Sequence, residues 1–307
     1  MTIFNDPVVL SGAKAFVAVF MILSNSILVF VTYKTKALNS TCNWLIAANS
    51  ACIALYSLTY FVQFGIVLLR PSGIPLWQCC LLVPVPLFFL CCQYVLFPLI
   101  ALDRLIGAIF PLKQMDNRYK RRYMFFALVA STSFGLFIVA ASINNSIISE
   151  DLVFCMTSEP APTYFANCSW VLNSGSAILY LALWVRIKLL SSCVSQKTKF
   201  NDAVTRKILF SLVSIFLVEM SGWASYWTVF LLIHFDVEAT KWFVLSYIGF
   251  VMQLTLSLNG LILYVLSSDY RTAFRAVLRI GKTSQPTQTL FVVSSKRTGK
   301  TNVGKTI

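Results

Sequence analysis

Two features of the sequence could carry chemistry. "ALDRLIGAIFPLK" (101–113) sets Asp103 beside Arg104 at the end of a long apolar run, and "VEMSGWASYWTVF" (218–230) holds one isolated acid, Glu219, in an otherwise uncharged stretch. A carboxylate next to a guanidinium can make and release a charge-assisted hydrogen bond. An isolated carboxylate in apolar surroundings is costly unless it is protonated, paired or wetted, which makes Glu219 a candidate for a functional proton or for a buried hydrogen bond between helices. Trp223, Tyr226 or Trp227, and Phe230 follow it at helical spacing, a candidate lining for a ligand. No metal and no cofactor are expected, because the nine cysteines and the single His234 complete no metal-ligand spacing. "GKTNVGKT" (299–306) fits the letters of a phosphate-binding loop, yet such a loop needs a strand before it and a helix after it, and only Ile307 follows.

What must position these residues is a membrane bundle. The chain has 307 residues, 58% hydrophobic and 12% charged, with a mean hydropathy of +0.76, well above the roughly 45–50% apolar usage of soluble domains. Uncharged runs cover 15–33, 37–69, 71–102, 123–149, 160–185, 208–235 (broken only by Glu219) and 242–268. Each reaches the roughly 18 residues that cross the hydrocarbon as a helix, and none alternates as a membrane strand does. The expected fold is all-α and integral to the membrane: a seven-transmembrane helix bundle with spans near 8–33, 42–69, 76–109, 123–148, 165–190, 206–233 and 242–266. Connections are short, leaving no room for a soluble enzyme, and no internal repeat suggests a transporter built from duplicated halves. The N-terminal "MTIFNDPVVL" lacks a basic region and a cleavage site, so the first span reads as a retained anchor.

Orientation follows from the basic residues. With the N-terminus outside, the outer segments hold only Lys14, Arg70 and Lys241, and the inner segments the other 22 of 25. The net charge of +14 is thus a topology signal and an attraction to anionic membrane lipids, with no nucleic acid implied. After the seventh span, Arg271, Arg275 and Arg279 recur every four residues opposite Tyr270, Phe274, Val277 and Leu278, which predicts an amphipathic helix over 268–281 on the inner membrane surface. The membrane domain is therefore 1–281, and 282–307, rich in Ser and Thr, reads as a disordered cytoplasmic tail. Only Cys79, Cys80, Cys155 and Cys168 face the oxidising side.

"LDRLIGAIFPL" resembles the D-R-Y/L-x-x-x-x-x-P-L signature of rhodopsin-like G-protein-coupled receptors, with Asp103, Arg104, Pro111 and Leu112 matching and Leu105 standing where many members have tyrosine. Asn25 fits the first-helix asparagine and Cys79 the outer third-helix cysteine. Tyr264, with Tyr270 and Arg271 after it, resembles the seventh-helix tyrosine and the aromatic of the eighth helix. "NWLIAANS", "ALDRLIGAIFPL", the Gly-Trp of span six and "LYVLSSDYR" are most similar to the nematode serpentine chemoreceptors, the srsx class. The sequence departs from the wider pattern at Ile53, where an acid is usual, and in lacking the prolines of spans six and seven.

The resemblance implies a chemosensory receptor of the plasma membrane that binds a small, mostly apolar ligand within the bundle and activates a heterotrimeric G protein. It implies that Asp103, Arg104, Leu105, Pro111, Leu112 and Tyr264 form the activation switch, that Cys79 pairs with Cys155 of the second outer loop, and that arrestin-like proteins are a further partner at the Ser/Thr-rich tail. Registered on Arg104, span three turns Pro86, Leu87 and Leu90 toward the ligand; registered on Tyr264, span seven adds Phe250 and Gln253, facing Glu219, Trp223, Tyr226 and Trp227 of span six. No lysine lies between Lys241 and Lys282, which excludes a retinal Schiff base in span seven. The alternatives are a seven-span transporter or channel, or a receptor-like protein without G-protein signalling.

Overall fold

A computed structural model describes residues 6–109, 117–149, 151–193 and 238–278, and between the last two only 217, 218, 221–223, 225 and 228. Span one is Pro7–Lys34; the Asp6 side chain accepts from the Val8 N–H at 2.9 Å, and Pro7 opens the helix where an N–H has no partner anyway. Span two is Thr41–Tyr56 and Thr59–Leu69, started by Ser40, whose hydroxyl accepts from the Asn43 N–H. Span three is Leu76–Leu82 and Pro84–Ile109, interrupted where Pro84 brings a ring and no N–H. Spans four and five are Asn117–Ile148 and Thr163–Cys193, and span seven is Glu238–Ser257 and Asn259–Leu266. Six of these spans are long and apolar enough to cross a membrane among the described residues, and the described residues of span six are helical as well.

Span three is central, packed against spans two, four and five, while span one lies between two and seven. The half of the core nearer the N-terminus, called outer after the expected orientation, gathers Tyr56, Tyr60, Leu90, Tyr94, Trp223 and Met252. The inner half gathers Leu28, Cys42, Leu45, Leu99, Tyr123 and Phe274. Phe16, Phe20, Phe126, Phe137 and Val171 point outward, as lipid rather than water demands.

The helix Ser268–Val277 follows span seven, with the Ser267 hydroxyl at its start. Tyr270, Ala273 and Phe274 are buried while Arg271 and Arg275 are exposed, the two-sidedness expected of an interfacial helix. Residues 279–281 and the tail 282–307 lie outside the described residues.

On the outer side, β1 (Ile74–Pro75) pairs antiparallel with β2 (Leu152–Val153), and Cys79 is bonded to Cys155 with Cα atoms 5.2 Å apart. The second outer loop is thereby tied to the head of span three.

Span seven breaks at Leu258 without a proline. Ser24 donates to the Ser257 carbonyl at 2.9 Å and Asn25 to the Leu256 carbonyl at 3.2 Å, so side chains of span one occupy acceptors at the break. Gly260 permits this approach: a Cβ there would stand 3.1 Å from the Ser24 carbonyl oxygen.

Candidate functional site

At the inner end of span three Asp103 is buried at 1% exposure. The Arg104 guanidinium lies near the Cys42 thiol of span two, near Asp103 and near Tyr180 of span five, and its Nε is buried without a hydrogen-bond partner among the described residues. Asp103 in turn acts electrostatically on Tyr119 and Tyr123 of span four, whose rings stack at 5.8 Å, and the Tyr123 hydroxyl donates to the Leu99 carbonyl at 2.6 Å. The pair therefore sits where spans two, three, four and five come close together. Leu105 is half-buried beside it. Tyr264 sits elsewhere: its hydroxyl accepts from Arg275 Nε at 3.4 Å and its ring meets Phe274 edge-on, joining span seven to the terminal helix. Pro111 and Leu112 lie outside the described residues.

The outer half of the bundle encloses a narrow cavity of about 50 Å³. Its walls come from spans one, two, three, five, six and seven and from the second outer loop. Trp223 and Tyr94 meet there at 4.8 Å between ring centroids, and Phe165 stands edge-on to Tyr94 at 5.8 Å. The break in span two helps shape it. The Ile53 carbonyl accepts both the N–H and the hydroxyl of Ser57, a competition that bends helices, and beyond the bend Thr59, Tyr60 and Gln63 line the space.

Of the residues expected to meet a ligand, Leu90 and Trp223 line this cavity. Pro86 and Leu87 are buried in the span-three core, and Phe250 is half-buried. Gln253 is fully buried and donates to the Lys14 carbonyl at 2.6 Å, bracing span seven on span one. Glu219, Tyr226 and Trp227 lie outside the described residues. Sequence reasoning missed Lys14, Tyr56, Tyr60, Gln63, Tyr94 and Phe165. Tyr94 is one helical turn beyond Leu90, and that spacing could have found it.

Lys14 counts in the sequence among the outer basic residues, but span one reaches out to Pro7 and carries it inside the helix, buried at 3% exposure. A Cβ added at Gly249 would lie 3.9 Å from its Nζ, so the glycine of span seven leaves room for the ammonium. Glu159, in the second outer loop, acts on Lys14 through space. The Glu159 carboxylate accepts from the Met156 N–H at 2.6 Å and from the N–H groups of Cys155 and Phe154. Burial nevertheless pushes its carboxyl up to about 7, against the lowering by those donors and by Lys14.

Such a build, with an Asp-Arg pair at the inner end of the central span, an outer loop bonded to the head of that span and a cavity between them, defines a seven-span receptor. The chain matches the serpentine type 7TM GPCR chemoreceptor Srsx family over residues 18–278 and belongs to that family. No curated protein matches it.

Proposed function

We propose that this multi-pass membrane protein acts at the plasma membrane, N-terminus outside and C-terminus in the cytoplasm, as a chemosensory receptor. It binds a small ligand with a largely apolar body in the outer cavity and activates a heterotrimeric G protein at the inner end of the bundle. The contact of Trp223 with Tyr94 carries the reading. A ligand that displaces either ring moves span six against span three, and span three holds Arg104 at its far end. Arg104, beside Asp103, is the group that a G protein meets when span six moves away, and Leu105, Pro111 and Leu112 belong to the same switch. Glu219 supplies a titratable proton within span six, Tyr264 holds the terminal helix, and arrestin-like proteins engage the Ser/Thr-rich tail.

The test is a panel of small organic compounds applied to cells expressing the chain, read by G-protein dissociation. A compound-evoked signal that needs both Trp223 and Arg104 supports the reading. A compound-evoked current that persists in cells depleted of G proteins would instead make the chain a channel or transporter.

A further inference from the structure

The cavity lining is unbalanced in its hydrogen bonding. Four of its hydroxyls are paired: Tyr56 with Tyr60 at 3.1 Å, and Thr59 with Thr157 at 2.6 Å. Two N–H donors are left without a partner. Gln63 Nε2 and Trp223 Nε1 are buried without a hydrogen-bond partner among the described residues. To these the cavity adds the Lys14 ammonium, buried and facing the same space. Glu159 acts on Lys14 through space while its carboxylate accepts from the loop's own N–H groups, and no contact ion pair joins the two among the described residues. A buried cation without a contact ion pair and two idle N–H donors cost energy unless a guest supplies an acceptor.

We infer that the ligand is a small organic acid, its carboxylate held by the Lys14 ammonium in a lining where Gln63 and Trp223 are the other available donors, and its apolar body lying against Tyr94 and Phe165. The inference rests on the cavity being the ligand site proposed above and narrows what that site accepts. A carboxylate matches a lysine that has a charge but no contact partner, and the aromatic wall takes the rest of the molecule. An amine of the same skeleton is disfavoured, since it would bring a second cation beside Lys14. Gln253 is a positioning residue here, fixing the span-one backbone at Lys14.

Purified full-length receptor in lipid nanodiscs is titrated with hexanoate, hexanamide and hexylamine, and with phenylacetate and phenylacetamide, following both thermal stabilisation and ligand-evoked G-protein dissociation. The acids are expected to bind about tenfold or more tightly than the amides, the amine not at all, as the loss of one charged hydrogen bond dictates. Lys14→Gln should bring acid and amide to the same affinity, and Lys14→Arg should keep part of the preference. The comparison of acid with amide on the unaltered chain decides the matter even where a variant folds poorly. Equal or weaker binding of the acids, no binding of either acid, or an acid preference that survives Lys14→Gln would overturn the inference. Acid binding without G-protein dissociation would leave the inference standing and defeat the receptor reading. Signalling by neutral compounds alone, unaffected by Lys14→Gln, would do the reverse.

Discussion

Tyr94 of span three and Trp223 of span six lie ring against ring, 4.8 Å between centroids, both almost completely buried. Beside this contact Gly222 brings span six against span seven so closely that a Cβ there would stand 2.8 Å from Thr255 Oγ1 and 3.2 Å from Met252 Cα. Three spans thus converge at the base of the cavity. Trp223→Ala is expected to abolish ligand-evoked signalling at equal surface expression and to cost about 3–5 kcal/mol of stability, as large aromatic deletions do. Trp223→Phe, which keeps a ring, should retain part of the signal; G-protein dissociation on surface-matched cells decides it.

Arg104 separates a signalling group from a membrane anchor. A snorkelling cation could be lysine with little loss, whereas a planar multi-donor group cannot. Arg104→Lys and Arg104→Ala are expected to reach the surface and signal weakly, and Asp103→Asn to raise basal activity. Undiminished ligand-evoked signalling by Arg104→Ala would reduce the pair to an interfacial charge.

The bond between Cys79 and Cys155 closes a loop spanning 76 residues. Cys79→Ala and Cys155→Ala should each lower stability by about 2–5 kcal/mol, and the double substitution by no more than either alone. Thermal unfolding in nanodiscs, with and without reductant, gives the comparison. Additive losses would mean that the two sulfurs are not bonded to each other.

The span-seven break depends on span one. Ser24→Ala removes one donor and should cost about 1 kcal/mol, while Gly260→Ala forces a methyl group toward the Ser24 carbonyl and should cost about 1–3 kcal/mol. Both are read by thermal unfolding, and the glycine variant is expected to be the more damaging to signalling.

Glu159 gives the outer loop a pH dependence. Its carboxyl is raised from 4.5 to about 7 in the folded protein, so the folded state holds the proton more tightly than the unfolded chain. The stability this contributes is present below the unfolded value and is lost as pH rises through about 7. Lys14 is the charged group facing it and acts in the opposite direction, favouring the carboxylate. Stability measured from about pH 5 to pH 6.5 should fall with rising pH, and Glu159→Gln should flatten that part of the profile; an unchanged slope in the variant would assign it to other groups.

Much of this protein can be read without coordinates, because lipid imposes its demands residue by residue. Uncharged runs long enough to cross the hydrocarbon define the spans, the distribution of Lys and Arg suggests their orientation, and Asp103-Arg104 marks the inner end of the third. The same solvent hides which way each span faces. Phe16 and Phe20 turn to lipid while Met21 and Leu28 turn to the core, and no difference in hydrophobicity separates them. Polar residues carry that information only through their partners. Asn25 and Ser24 acquire meaning from the Leu256 and Ser257 carbonyls more than 200 positions away, and Gln253 from the Lys14 carbonyl. Lys14 shows the limit most plainly. In the sequence it is one of three outer basic residues, and only the packing of span one against Gly249, with the second outer loop folded over the bundle, makes it the buried cation of the cavity. A charge in a linear sequence has a type and a depth; whether it meets water, lipid or a ligand is settled by which helices close around it.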